Sequence, residues 1–274
     1  MAQQTPYVLG TGNDELQRLG LQHRLWSDAL QVACRRAALR PGQRVLDVGC
    51  GPGFAAFDLA QMVTDRGSVV AVDESQPFVE YLSQQATLRG LSQLRGRCGD
   101  VQQLGPTLAG EAPFDMAYAR WVLCFVPDPA AVVRGVAGAL RPGGRFVVHD
   151  YFNYTSMSLA PRSVFHDRAV AATALSWRQR GGDPDIVGRL PQLLDEAGFV
   201  VDQVELIQRS ARGSDSMFAW IDTWWHTFVP KLVSMGLLAQ SDADGLLGEL
   251  ASMRGNALRF VQCPPVWEVL ATKR

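Results

Sequence analysis

The chain has 274 residues, 47% of them hydrophobic and 19% charged, with 26 basic against 27 acidic side chains and a formal net charge of −1. That length and apolar content suffice for one elaborated domain with a large core and exclude a disordered chain. Charges of both signs are dispersed with no basic block, which argues against a nucleic-acid backbone as partner. The five cysteines (34, 50, 98, 124, 263) are odd in number and lack C-x-x-C spacing. They read as free thiols of a reducing compartment, not as disulfides or zinc ligands. The opening MAQQTPYVLG has neither a basic nor an apolar segment of signal-peptide type, and no apolar run approaches a membrane span. A cytoplasmic location is expected, with no metal site.

The first predicted element is a helix from Asn13, a capping residue, to about Leu39, stopped by Pro41-Gly42. Leu16, Leu19, His23, Trp26, Leu30 and Ala33 recur at three and four and share one face. His23 therefore points inward, either as a core histidine or toward a ligand.

Next comes Arg44–Phe54, RVLDVGCGPGF, a short apolar strand, a glycine turn and the start of an apolar helix to Val63. Such a loop lies at the carboxyl end of a strand, where open α/β sheets bind ligands. Asp47 stands two positions before the first glycine. A carboxylate there repels the pyrophosphate that a dinucleotide loop holds and suits an ammonium or sulfonium ligand. Phe54 also breaks the G-x-G-x-x-G spacing, so a nicotinamide oxidoreductase is disfavoured. The D-x-G-x-G-x-G run resembles the first motif of class I S-adenosylmethionine-dependent methyltransferases. That resemblance implies S-adenosylmethionine as cofactor and S-adenosylhomocysteine as product. It also implies that Tyr7, Arg18 and Gln22, with His23 and Trp26 beyond them, belong to a segment covering the cofactor's methionine end.

Ser68–Asp73 is the second strand, and an acid closing it is placed to accept both ribose hydroxyls. Phe78 is a core residue of the following helix and, by resemblance, packs on the adenine. Leu94–Cys98 is a third strand poor in apolar residues, followed by Gly99-Asp100-Val101. Asp100 either caps the next helix or accepts the adenine amino group. Phe114–Ala119 and Arg145–His149 are the fourth and fifth strands, flanking a helix opened by Pro127-Asp128-Pro129 and stopped by Arg141-Pro142-Gly143-Gly144. This helix–RPGG–strand run resembles most the ubiquinone, menaquinone and natural-product methyltransferases.

Beyond residue 150 the pattern predicts a helix over 163–178, a helix from Asp183-Pro184 to Gly198, a strand over 200–207 and a Trp-rich helical stretch over 214–255. Ser241-x-x-Asp244 reads as a capping box. Val266–Ala271 is the last strand, antiparallel by resemblance. Met217, Ile221, Trp224, Trp225 and Phe228 share a face that can be a lid over an acceptor, ordinary core or a membrane-surface contact.

The expected fold is α/β, a doubly wound, mostly parallel seven-stranded sheet of Rossmann-like methyltransferase type, with an N-terminal helical segment and helical insertions as a cap. It is a single domain over 1–274: 1–40 covers the cofactor and 41–150 binds it. Segments 151–183 and 210–263 form the cap, and 184–209 and 264–274 close the core. By resemblance the cofactor falls to Asp47, Gly49, Cys50, Gly51, Asp73, Glu74, Phe78, Asp100, Val101 and Arg120, besides Tyr7, Arg18 and Gln22. The acceptor pocket falls to His23, Trp121, Tyr151, Tyr154, Trp224 and Trp225. His149, at the end of the fifth strand, is the candidate base or a structural hydrogen-bonding residue. The expected reaction is in-line methyl transfer to a small aromatic or apolar acceptor, driven mainly by positioning. The alternative is an S-adenosylmethionine-binding partner subunit without transfer activity.

Overall fold

A computed structural model describes residues 12–274, so the expected role of Tyr7 lies outside the described residues. In chain order the elements are α1 (Asn13–Arg36), β1 (Arg44–Val48), α2 (Phe54–Val63), β2 (Ser68–Asp73), α3 (Gln76–Leu88), β3 (Leu94–Cys98), the short α4 (Leu104–Thr107), β4 (Phe114–Arg120) and α5 (Pro129–Ala139). There follow β5 (Leu140–Tyr151), β6 (Ser158–Ala160), α6 (Val164–Arg178), α7 (Leu190–Glu196), β7 (Phe199–Ile207) and β8 (Ser210–Arg212). The last are α8 (Phe218–Ser234), α9 (Gln240–Met253), β9 (Phe260–Gln262) and β10 (Val266–Lys273).

These elements form two compact units. The core unit comprises Trp26–Ser156, Ala174–Arg209 and Pro264–Arg274; the helical unit comprises residues 12–25, Met157–Thr173 and Ser210–Cys263. The divisions at Leu25 and Thr173 fall inside α1 and α6, not at element ends.

The core unit holds a seven-stranded sheet in the order β3-β2-β1-β4-β5-β10-β7. Strands β1 to β5 pair in parallel, and β10 runs antiparallel to both β5 and β7. The chain winds from β1 outward to β3, then returns to place β4 on the other side of β1. That reversal opens a crevice at the carboxyl ends of β1 and β4. Val45, Leu46, Val69, Ala71, Met116 and Tyr118 are fully or almost fully buried, which is why these strands read as near-continuous apolar runs.

Helix ends differ from the expected ones for local reasons. Helix α1 stops at Arg36 because Ala38 (φ 54) takes the left-handed position after it, with the Leu39 N–H bonded to the Cys34 carbonyl. The segment after Asp183 forms only a single 3-10 turn, Ile186–Gly188, before α7 starts. Pro191 accounts for the break, since inside a longer helix its ring would clash with the carbonyl four residues back.

The helical unit contains a three-stranded antiparallel sheet, β6-β9-β8, whose three-residue strands carry no readable alternation. Helix α8 buries Phe218, Trp220, Ile221, Trp225, Phe228, Val229 and Leu232, while Trp224 is half-buried and Met217 precedes the helix. Trp220 joins the buried face because its indole N–H donates to Gln22 Oε1 at 2.9 Å. The expected capping box is not formed: Ser241 lies inside α9, and Asp244 accepts from Gln240 Nε2 instead.

A buried polar chain crosses the core sheet. His149 Nε2 donates to Glu268 Oε2 at 2.9 Å, and the Tyr118 hydroxyl lies 3.1 Å from His149 Nδ1. An ionised carboxylate only accepts, so Nε2 bears the proton and Nδ1 accepts from Tyr118. Arg36 closes the chain on Glu268 and Glu205, each at 2.9 Å. Burial lowers the His149 pKa below its ordinary value, outweighing Glu268. Burial also pushes Glu268 upward, but the bonds from His149 and Arg36 outweigh it and hold that carboxyl below its ordinary value.

Both shifts have the same sign. A neutral His149 in the fold faces an unfolded histidine that takes up a proton near pH 6.5, so stability falls as pH drops below that value. Glu268 extends the loss as pH falls through its folded value. Urea titration of the wild type should therefore lose stability between about pH 6.5 and 5 relative to His149→Phe. Glu268→Ala, which leaves the buried His149 N–H without its acceptor while the exposed Arg36 keeps Glu205, should cost about 1–3 kcal/mol. Equal pH dependence in wild type and His149→Phe would show that the histidine is not neutral in the fold.

Candidate active site

The loop Gly49–Gly53 turns at the carboxyl end of β1. Gly49 has φ +67, and a Cβ there would meet the Val122 side chain at 2.5 Å, so the residue must be glycine on both counts. Gly51 has φ +54, and a Cβ there would meet nothing within 4 Å. Its backbone borders open space, where a ligand can approach closely. The N–H groups of Gly49 and Cys50 donate to the Val72 carbonyl at 2.8 and 3.0 Å, fastening the loop to β2.

Asp73 completes that fastening. Its Oδ2 accepts from the Gly51 N–H at 2.7 Å and its Oδ1 from the Ser75 N–H at 2.9 Å. Burial raises its pKa nevertheless, against the pull of those two N–H groups. Asp47 is 2% exposed, and among the described residues its Oδ2 has no hydrogen-bond partner. Burial pushes its carboxyl up to about 7, opposed by the Arg120 charge and reinforced by Asp73. Glu74 is also raised, by burial first and then by Asp73 and Asp100. Burial likewise drives the Cys50 thiol up, so it is no thiolate. Acids thus converge on one crevice and disfavour each other's charge. A cationic ligand relieves that repulsion, whereas a pyrophosphate deepens it.

Phe78 is buried in the first turn of α3, its N–H reaching the Ser75 hydroxyl at 3.4 Å, and Val101 is buried beside Asp100. Asp100 takes its capping alternative: Oδ1 accepts from the Gln102 N–H at 2.8 Å and from Gln102 Nε2 at 3.1 Å. Its Oδ2 has only a 3.4 Å contact to the same amide.

An aromatic cluster lies beyond the carboxyl ends of β4 and β5. Trp121 follows Arg120, whose guanidinium sits 5.2 Å from the indole centroid. Trp121 has φ +53, a left-handed conformation costly for a bulky residue, and its N–H donates to the His149 carbonyl at 2.8 Å. Its ring stacks on Tyr151 at 6.1 Å and meets Trp26 edge-on at 5.3 Å. Tyr151 and Tyr154 pack at 5.1 Å, and both reach Trp177. Fully buried Asp150 shapes the adjoining loop by accepting from the Cys124 and Tyr151 N–H groups, and burial raises it to about 6 despite them.

The core unit therefore brings together Asp47, Gly49, Cys50, Gly51, Asp73 and Glu74 around one loop, and Arg120, Trp121, Tyr151 and Tyr154 beside it. One expectation needs correction. His149 is 1% exposed with both ring nitrogens engaged, so it has no free nitrogen for a substrate proton. Arg18 bonds within the helical unit to Glu15 through Nε and Nη2 and to Gln22 through Nη1, and its guanidinium lies 5.5 Å from the Trp224 ring. His23 is buried on α1, and Trp225 is fully buried on α8. Sequence reasoning missed Trp177, Phe125 and Glu268 as neighbours of the site, because no spacing links them to β4 or β5.

Among the described residues no group of three or more His, Cys, Asp or Glu side chains is placed to hold a metal ion. No described helix is long and apolar enough to cross a membrane.

Residues 46–148 match the family model described as a methyltransferase domain. The chain is 39% identical over 201 residues to the nocamycin O-methyltransferase of Saccharothrix syringae, covering 68% of this chain and 69% of that one. It is 34% identical over 166 residues to the 2-phytyl-1,4-naphtoquinone methyltransferase of Synechococcus elongatus, covering 59% of this chain and 67% of the relative. An uncharacterised 37.1 kDa protein in a Streptomyces fradiae transposon is matched over half of its own length. Among solved structures, the YcgJ protein of Bacillus subtilis shares the fold with a TM-score of 0.62 at 18% identity, covering 90% of this chain and 99% of that one. Sequence motif, sheet order and these relatives agree: the chain belongs to the class I S-adenosylmethionine-dependent methyltransferases that act on small molecules.

Proposed function

We propose that this chain methylates a small aromatic or apolar organic acceptor by in-line displacement, with catalysis chiefly by positioning. The observation that carries the acceptor class is the aromatic cluster Trp121, Tyr151, Tyr154 and Trp177, with Trp121 held in a strained backbone conformation at the end of β4. The relatives' named substrates, nocamycin and a phytyl naphthoquinone, support an acceptor of this kind.

S-adenosylmethionine supplies an electrophilic methyl on a sulfonium. In this reading Asp47, Gly49, Gly51, Asp73 and Glu74 hold it, with Phe78, Asp100 and Val101 at the adenine. Asp47 offers a buried, unpartnered carboxylate oxygen to a cation, and the open space at Gly51 admits close backbone approach. The aromatic rings orient the acceptor and exclude water, which is where most of the rate arises for a displacement needing no covalent help. His149 is not assigned as base, since both of its nitrogens bond inside the sheet. The half-buried Trp224, stacked on Phe228 at 4.8 Å, belongs to the proposed cap.

The direct test is label transfer from methyl-labelled S-adenosylmethionine to a panel of phenols, enols, carboxylic acids and amines. Label should appear in aromatic or apolar acceptors. Tight S-adenosylhomocysteine binding without transfer to any member would instead favour a binding subunit. Calorimetry should also detect S-adenosylhomocysteine binding and no NADH binding.

Asp73→Ala should weaken S-adenosylhomocysteine binding by about 1.5–3 kcal/mol per charge-assisted bond lost. It should also lower the melting temperature, because the Gly51 and Ser75 N–H groups lose their acceptor. Normal affinity in this variant would place the ribose elsewhere.

The raised Asp47 carboxyl gives a pH signature. Below about pH 7 it is protonated in the free protein. A cationic ligand prefers it ionised, so binding releases a proton and affinity should fall as pH drops through 7. Asp47→Asn should flatten that dependence. An unchanged slope in the variant would remove Asp47 from contact with the cation.

A further inference from the structure

A half-buried side chain on the turn after β3, Gln102, reaches the start of α5. Its Nε2 donates to Asp100 Oδ1 at 3.1 Å, and its Oε1 accepts from the Asp128 N–H at 3.0 Å. A carboxylate only accepts and a backbone N–H only donates, so one orientation of the amide serves both ends. The far end is firmly anchored. Asp128 stands between Pro127 and Pro129, which have no N–H of their own, and its carboxylate caps α5 by accepting from the Ala131 N–H at 2.9 Å. Helix α5 also packs tightly on the segment after β3, since a Cβ at Gly135 would meet the Leu104 side chain at 3.1 Å. Gln102 is therefore a strut between two fixed points.

We propose that Gln102 is a positioning residue: it sets Asp100 for the cofactor's adenine amino group, and with it the preference for a 6-amino purine. Gln102 gives two donors to the same oxygen, its backbone N–H at 2.8 Å and its Nε2 at 3.1 Å from Asp100 Oδ1. Two donors on one oxygen fix the rotation of the carboxylate. Oδ2 keeps only the 3.4 Å contact to that amide, so it retains lone pairs for an incoming N–H. One oxygen caps the turn and the other is left to bind. Burial, and then Asp73 and Asp100, raise the Glu74 carboxyl, so Asp100 shares the crevice of those acids. An amino group offers the N–H that Oδ2 can accept, whereas a purine with hydrogen at that position leaves the oxygen unmatched. Without the side-chain donor, Asp100 keeps its cap bond but can rotate about it, and the choice between the two purines is blurred.

This role rests on the proposed contact of Asp100 with adenine, and the two are tested apart. The probes are adenosine and purine riboside, identical except for the 6-amino group. Each is titrated against labelled S-adenosylhomocysteine to give its own dissociation constant. Wild type should favour adenosine about ten-fold, the worth of roughly one hydrogen bond to a charged group. Asp100→Ala should bind both alike. Gln102→Met keeps the length of the side chain and the backbone N–H that Asp100 caps, and removes only the amide. Its preference should fall to about three-fold or less, with purine riboside affinity and melting temperature unchanged. Gln102→Glu, ionised at about pH 8, still accepts from the Asp128 N–H but has no donor for Asp100, so it should lose the preference too. Should Gln102→Met fail to fold, Gln102→Glu carries the same comparison.

Full adenosine preference in both Gln102 variants, with its loss in Asp100→Ala, would overturn the role of Gln102 and leave the adenine contact standing. An equal loss of affinity for both probes in the Gln102 variants would show a general effect on the fold and overturn that role as well. No preference in wild type, or one undiminished in Asp100→Ala, would remove Asp100 from the amino group and take the role of Gln102 with it.

Discussion

The carboxylate of Asp73 is the joint on which the crevice at the end of β1 depends. One oxygen holds the Gly51 N–H and the other the Ser75 N–H, so a single side chain ties the loop after β1 to the turn after β2. Two strand ends that are neighbours in the sheet thereby become one rigid edge. The arrangement constrains the rest of the region. Gly49 must lie close against Val122, and Asp47, two residues upstream, is left buried with one oxygen unmatched. Ionising Asp47 is disfavoured by burial and by Asp73 alike. Such a crevice is electrostatically poised: its acids share too little positive charge, and the carboxyls of Asp47, Asp73 and Glu74 are all raised.

A second constraint comes from the far side of the sheet. Strand β10 is the antiparallel member, inserted between β5 and β7, and Glu268 on it receives the His149 N–H. That bond fixes the tautomer of His149, which then receives the Tyr118 hydroxyl on β4. Three adjacent strands are joined through their side chains just where β4 and β5 deliver Arg120, Trp121 and Tyr151. The His149 carbonyl also holds the Trp121 N–H. His149 therefore serves the site through geometry: it stiffens the strand ends from which the aromatic cluster projects.

Much of this was readable from the chain alone, and the reasons are local. Asp47 and Asp73 could be placed because a glycine turn and an acid one helix and one strand later report the same crevice from two directions. Strands β1, β2, β4 and β5 were legible because buried parallel strands are short apolar runs punctuated by turns, whereas β3, poor in apolar residues, was placed by its position in the chain. His149 was misread because its decisive partner, Glu268, lies 119 positions away in sequence and no periodicity links them. Asp100 was ambiguous by nature, since a strand-end Asp can cap or bind with the same atoms; its Oδ1 caps the next turn. Strands β6, β8 and β9 were invisible because three residues are too few to show alternation. The break before α7 could have been seen, since Pro191 marks it.

The positions where local rules fail are informative together. Trp121 is a bulky residue at positive φ, Asp47 is a buried carboxylate with an unmatched oxygen, and His166 is a buried imidazole with no partner on either nitrogen. A fold selected for stability alone would place glycine or asparagine at the first, and apolar side chains at the other two. Other positions obey the rules, as where Asp128 caps α5 and Ser75 caps α3. Departures from local rules at a strand end or beside a ligand-facing loop mark where chemistry can be favoured over packing. The first two lie in the core unit, at a strand end and beside a glycine loop. The third lies in the helical unit, among the elements that have no counterpart in the parallel sheet.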